Sequence, residues 1–145
     1  MAKPSREFVE ECLKLADQFL EDAERLLASG RLRSAVDRAY YAMFHAAQAI
    51  LASKGFKPKT HTGLRELFGS EIVLKGLVER EYGRYLAEAF SMRQASTYDV
   101  STSLKEESVA RLVDRAERFT ARIKEMLRKD LPTVSNGNHS FRQHT

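Results

Sequence analysis

Residues 39–52, AYYAMFHAAQAILA, are apolar almost all the way round a helix, with only His45 and Gln48 strongly polar among them. A helix of that kind has no face to offer water, so it belongs at the centre of other helices. Its many alanines let those neighbours approach closely. The run is shorter than the ~20 residues a bilayer crossing needs. It is also internal, with no basic segment or cleavage pattern ahead of it. The expectation is a cytoplasmic chain with no membrane partner, built around this buried helix.

The flanking segments supply the neighbours. In the first, Phe8, Cys12, Leu15, Phe19, Ala23 and Leu26 recur at gaps of three and four, which predicts a helix from Ser5 to Ala28, with Ser5 as its cap and Gly30 as its stop. The central helix is expected from about Arg31 to Lys54, ended by Gly55 with Pro58 beyond. A short helix over Thr62–Phe68 and a further turn near Ile72–Leu77 fit the glycine-broken stretch that follows. Tyr82, Tyr85, Leu86, Ala89 and Phe90 mark the inner face of a helix from Glu79 to about Gln94, with Ala95–Thr102 reading as a loop. Ser103 and Glu106 have the spacing of a capping box ahead of a last helix that reaches about Lys129. The fold class predicted is all-α: an antiparallel up-and-down bundle of four long helices plus a short one. Residues 1–130 form the single domain, and 131–145 read as a disordered C-terminal tail.

Composition removes several function classes. One cysteine, Cys12, permits neither an internal disulfide nor a Cys-rich zinc site, and it sits on the apolar face of the first helix as a small hydrophobe. There is no phosphate-binding glycine loop and no H-E-x-x-H. The four histidines, His45, His61, His139 and His144, fall into no metal-ligating pattern, so neither metal nor cofactor is expected. The net charge of +4 allows nucleic acid or an acidic partner without demanding either.

Two polar features stand against this apolar background. Asp37, Tyr41, His45 and Gln48 share one stripe of the central helix. They read either as a binding pocket between helices or as a satisfied core network, with Tyr41 and His45 able to bond across one turn. Arg93 continues the inner face of the fourth long segment at its end and needs a carboxylate, with Asp37, Asp99 and Glu88 available. With Tyr98 and Asp99 it makes either a phosphate-binding group or a clasp that pins the loop. Arg111, Arg115, Arg118 and Arg122 line the last helix among Asp114, Glu117 and Glu125, and read as a solvated, ion-paired face. Tyr40, Phe44 and Phe90 read as packing.

Three strings then resemble one family as an ordered set: RSAVDRAYYAMFHAAQAIL at Arg33–Leu51, KTHTGL at Lys59–Leu64 and AFSMRQASTYD at Ala89–Asp99. Together they are similar to HEPN-domain proteins over roughly Ser5 to Lys129. The resemblance implies a helical bundle, usually a homodimer, often paired with a minimal nucleotidyltransferase in a toxin–antitoxin-like couple. It also implies RNA or nucleotide as ligand, since many members are metal-independent endoribonucleases with an Arg, four to six residues, then a His at the dimer interface. Arg93 matches the motif arginine and Gln94 the polar residue after it, but positions 98–100 are Tyr98, Asp99 and Val100. The tyrosine that the partner enzyme modifies in some relatives would fall at position 100, which is Val100. Without an imidazole at the motif position, a binding role stands ahead of a ribonuclease role. The ligand-binding set expected is Asp37, Tyr41, His45, Arg93, Tyr98 and Asp99. Arg93, Tyr98 and Asp99 would be the catalytic candidates if the chain cuts RNA.

Overall fold

The computed structural model describes residues 6–130. The expected tail at 131–145 and the expected cap Ser5 lie outside them. The described residues are all-helical: α1 (Arg6–Ala28), α2 (Leu32–Ser53), α3 (His61–Leu67), a π-helical stretch (Phe68–Val73), α4 (Arg80–Tyr98) and α5 (Glu106–Asp130). No described helix is long and apolar enough to cross a membrane.

The apolar run does what its composition requires. α2 packs against α1, α4 and α5, and Ala39, Ala42, Ala46, Ala47 and Ala49 are fully buried along it. A three-residue turn reverses the chain between α1 and α2, closed by Arg31 N–H to Leu26 C=O at 2.8 Å and Gly30 N–H to Leu27 C=O at 3.0 Å. That double bond needs a left-handed residue, and Gly30 takes it at φ +77°. Gly55 ends α2 in the same way at φ +92°.

Three expectations about helix ends change. The break after Phe68 does not occur, because α3 runs on into a wider turn in which Leu74 N–H bonds Gly69 C=O at 2.9 Å. Phe68 and Ile72 are both buried there, so core packing overrides the glycine signal. α4 extends through Tyr98 instead of ending near Gln94. The cause is remote in sequence: the Arg33 guanidinium on α2 donates to the carbonyl oxygens of Ser96, of Val100 at 3.3 Å and of Thr102 at 2.7 Å. The first bond satisfies a carbonyl of the last helical turn, and the other two tie the chain just beyond it to α2. Finally, α5 starts at Glu106 with Val109 N–H on Lys105 C=O at 3.1 Å, two residues later than a Ser103 cap requires. Leu104 packs on the core in that interval.

The arginine row of α5 is a face laced with ion pairs. Arg115 reaches Glu88 at 2.6 Å and Arg122 reaches Glu79 at 2.8 Å, tying α5 to the region of α4, while Arg118 pairs with Asp114 at 3.9 Å within its own helix. On the opposite side, Lys124 Nζ lies 2.6 Å from both carboxylate oxygens of Asp17, joining α5 to α1. Cys12 is buried, its S–H directed at Gln48 Oε1 at 3.5 Å, and burial pushes the thiol up to about 11.

Candidate functional site

The polar stripe of α2 divides between two environments. At its C-terminal end, His45 Nδ1 lies 3.0 Å from Gln48 Oε1, and the His45 ring stacks on Phe19 of α1 at 5.4 Å. His45 thus bonds Gln48 and stacks on α1 rather than bonding Tyr41. At its N-terminal end, Asp37 accepts a hydrogen bond from Arg93 Nε at 3.1 Å, with the Arg93 side chain 16% exposed and that of Asp37 38%. The guanidinium lies over the Tyr41 ring at 4.9 Å and near the Tyr40 ring at 5.7 Å. Of the carboxylates available to Arg93, the one across the bundle is used.

Tyr98 and Asp99 do not join this cluster. Because α4 continues past Arg93, these residues are five and six positions further round a helical track of 100° per residue, which turns them away from Arg93. Tyr98 is 74% exposed. Asp99 folds back on its own turn, accepting from Ser101 Oγ at 2.6 Å and Ser101 N–H at 3.0 Å. Those bonds hold its carboxyl below the usual range. The expected grouping of Arg93 with Tyr98 and Asp99 is therefore replaced by Arg93 with Asp37, Tyr40 and Tyr41.

Position 61 brings an imidazole to the same place. Thr60 caps α3 by accepting from Gly63 N–H at 2.8 Å, and a Cβ at position 63 would press to 3.0 Å from that same Thr60 oxygen. The T-H-x-G string is thus a tight cap that presents His61 as the first residue of its helix. His61 Nδ1 lies 2.7 Å from the Tyr40 hydroxyl. The imidazole packs among Phe44 at 4.9 Å, Tyr41 at 5.8 Å and Phe90 at 6.2 Å. One turn later, Arg65 lies over Phe90 with its guanidinium carbon 3.9 Å from the ring centre.

The electrostatics fix the protonation states. Burial first, then the Arg93 and Arg65 cations, lower the pKa of His61 from 6.5. Burial, reinforced by Tyr41, raises the Tyr40 phenol to about 12 against the pull of the two arginines. At neutral pH the phenol keeps its proton and the imidazole is neutral. The network assigns Tyr40 O–H as donor to Nδ1, which puts the ring proton on Nε2. The sequence offered only a weak sign of this pair. Tyr40 follows Asp37 by three positions, but its pairing with His61 depends on how α3 folds back over α2.

His45 is likewise lowered from 6.5, chiefly by burial. In both residues the unfolded chain holds protons more tightly than the folded one, so stability is full above about 6.5 and is lost as pH falls through the folded values. The urea midpoint should therefore fall between about pH 7.5 and about pH 5.5. Replacing both imidazoles by glutamine should flatten that slope, and an unchanged slope in the double variant would refute the assignment.

Beside the Asp37–Arg93 pair runs a surface groove of about 370 Å³ walled by Arg33, Ser34, Asp37, Arg38, Ser96 and Thr97 among others. Among the described residues no three His, Cys, Asp or Glu side chains are grouped to hold a metal ion.

Comparison with known proteins agrees with the ordered strings. A family model described as the HEPN domain matches residues 9–126. A protein of Methanocaldococcus jannaschii named "Putative toxin" is 35% identical over 129 residues, covering 89% of this chain and 96% of that one. A Pyrococcus horikoshii protein named only by an uncharacterised-family number is 38% identical over 98 residues, covering 68% of this chain and 69% of its own length. A Thermotoga maritima protein of the same uncharacterised class is 35% identical over 112 residues, covering 77% and 85%. The chain belongs to the HEPN domain family.

Proposed function

We propose that the chain is the toxin-like member of a two-protein couple, acting as a homodimer that binds RNA at the Arg93 cluster and is held by a minimal nucleotidyltransferase. The observation that carries the RNA contact is the state of Arg93. It is mostly buried, and one carboxylate holds it through Nε, which leaves the terminal nitrogens of its fork for another acceptor. Support for the couple comes from the toxin name given to two relatives and from family membership. The groove along Arg33 and Arg38 offers a cationic path leading away from the cluster.

The test is RNA binding by fluorescence anisotropy together with a pull-down against a small nucleotidyltransferase. Arg93→Ala should weaken binding about tenfold or more, as loss of a charge-assisted phosphate contact does. Equal affinity in wild type and variant would overturn the RNA site. Failure to form any complex at micromolar concentration would overturn the partner.

A second reading, metal-independent cleavage, is favoured by one observation: His61 brings an imidazole to the aromatic cluster that holds Arg93, while the motif position has none. A neutral histidine beside an arginine meets the first needs of RNA cleavage, moving a proton and offsetting charge on a crowded phosphate. Cleavage abolished by His61→Gln with binding retained would select this reading. Binding without cleavage in the wild type would select the first.

A further inference from the structure

We propose that Arg65 is a second phosphate-binding residue, forming with Arg93 a two-guanidinium seat for a phosphate group over the Tyr40–His61 pair. This deepens the RNA reading and rests on it for the molecule that bears the phosphate, though the seat itself rests on the side chains alone. His61 is the first residue of α3 and Arg65 lies four positions on, so the two share one face of that helix. Arg93 comes to the same place from α4. Arg93 lies 5.7 Å from the Tyr40 ring, and Arg65 lies on Phe90, whose ring is 5.7 Å from Tyr40 and 6.2 Å from His61, so the two guanidiniums flank that pair.

The charges here are unequal. Arg93 has Asp37 as its partner. Arg65 forms no ion pair among the described residues. Its polar contacts come down to a long approach to Thr62 Oγ1 at 3.5 Å, and its Nε is buried with no hydrogen-bond acceptor. Flat packing on Phe90 holds the fork in place without occupying its donors. Two cations, one carboxylate and a neutral imidazole make a net positive, half-buried spot with pre-oriented N–H donors. Its chemical complement is a compact oxyanion with several acceptor oxygens, which a phosphate provides. Arg65 also supplies what Arg93 alone lacks: a donor set with no competing carboxylate.

The purified full chain serves for the test, followed through the imidazole resonances of His61, identified by their loss in His61→Gln. Inorganic phosphate should shift them saturably, and should raise the pKa of His61 because the anion offsets the two cations acting on it. Sodium chloride at matched ionic strength should not. Arg65→Met keeps an apolar contact with Phe90 and should weaken phosphate about tenfold or more. Arg65→Lys keeps the charge, loses the fork and should fall between the two. Phosphate indistinguishable from chloride, or unchanged affinity in a folded Arg65→Met protein, overturns the proposal. Adenosine monophosphate and a short oligoribonucleotide separate the bearers of the phosphate. A seat that takes phosphate and mononucleotide but not RNA supports this inference and removes the RNA reading. RNA bound with full affinity by Arg65→Met does the reverse.

Discussion

Phe119→Ala should destabilise the chain by about 3–5 kcal/mol, the range for truncating a large buried aromatic residue. Phe119 is fully buried in α5, with Phe68 at 5.3 Å on one side and Tyr82 at 6.2 Å on the other. It is therefore where α5 meets both the π-helical stretch and the start of α4. Three backbone segments, each anchored elsewhere, line the space its ring fills, so collapse into the cavity is costly. The loss is a large part of the ~5–15 kcal/mol that keeps a domain folded. It is measured as a drop in the urea midpoint with an unchanged slope. A loss under about 1 kcal/mol would mean that α5 repacks freely and that this junction is not a fixed one. Because Phe68 follows directly from the helix that carries His61, loosening here should also weaken the Tyr40–His61 bond.

The helices were legible because each one carries its own apolar period, and the centre was legible because α2 has almost no polar face. What local pattern cannot encode is a partner far along the chain. Ser96 reads as loop on propensity, yet Arg33, more than sixty positions earlier, bonds its carbonyl oxygen in the last turn of α4. Ser103 has the sequence of a cap, but α5 opens at Glu106. At the candidate site, an arginine on an inner face needs a carboxylate, but the sequence leaves Asp37, Asp99 and Glu88 all open to Arg93, and only the packing of α4 on α2 selects Asp37. Tyr98 and Asp99 lie near Arg93 in sequence, but the extra helical turn rotates them away from it. The Tyr40–His61 bond was hidden for a related reason. A tyrosine at core spacing looks like packing until a second element brings an acceptor to its hydroxyl.

That distinction bears on how far the family motif carries over. A motif written as an arginine and a histidine along one segment records two chemical roles, not two positions. In this chain the proposed RNA reading gives the first role to Arg93 on α4, and an imidazole reaches the same aromatic cluster from α3. Burial first, and then the cations that would bind a phosphate, favour its neutral form, so a bound anion would be coupled to His61 protonation. The chain's proposed role in RNA binding therefore turns on groups contributed by three helices, α2, α3 and α4.

Asp17→Ala should cost about 3 kcal/mol, the lower end of the range for removing one member of a buried ion pair. Lys124 is 8% exposed and Asp17 19%. The ammonium meets both carboxylate oxygens at 2.6 Å, a link between α1 and α5 that no sequence period revealed. Removing the carboxylate takes away two short charge-assisted contacts that offset the desolvation of the ammonium. The partial exposure of Asp17 lets water relieve some of this, which is why the lower end applies. Lys124→Met should cost less, since its side chain refills the seam and the more exposed carboxylate can turn toward solvent. The double variant, Asp17→Ala with Lys124→Met, should therefore cost less than the two single losses added together, by about 1–2 kcal/mol in a double-mutant cycle. If the two single losses simply add, the pair is an incidental surface contact. If the cycle shows coupling of that size, α1 and α5 are fastened by charge.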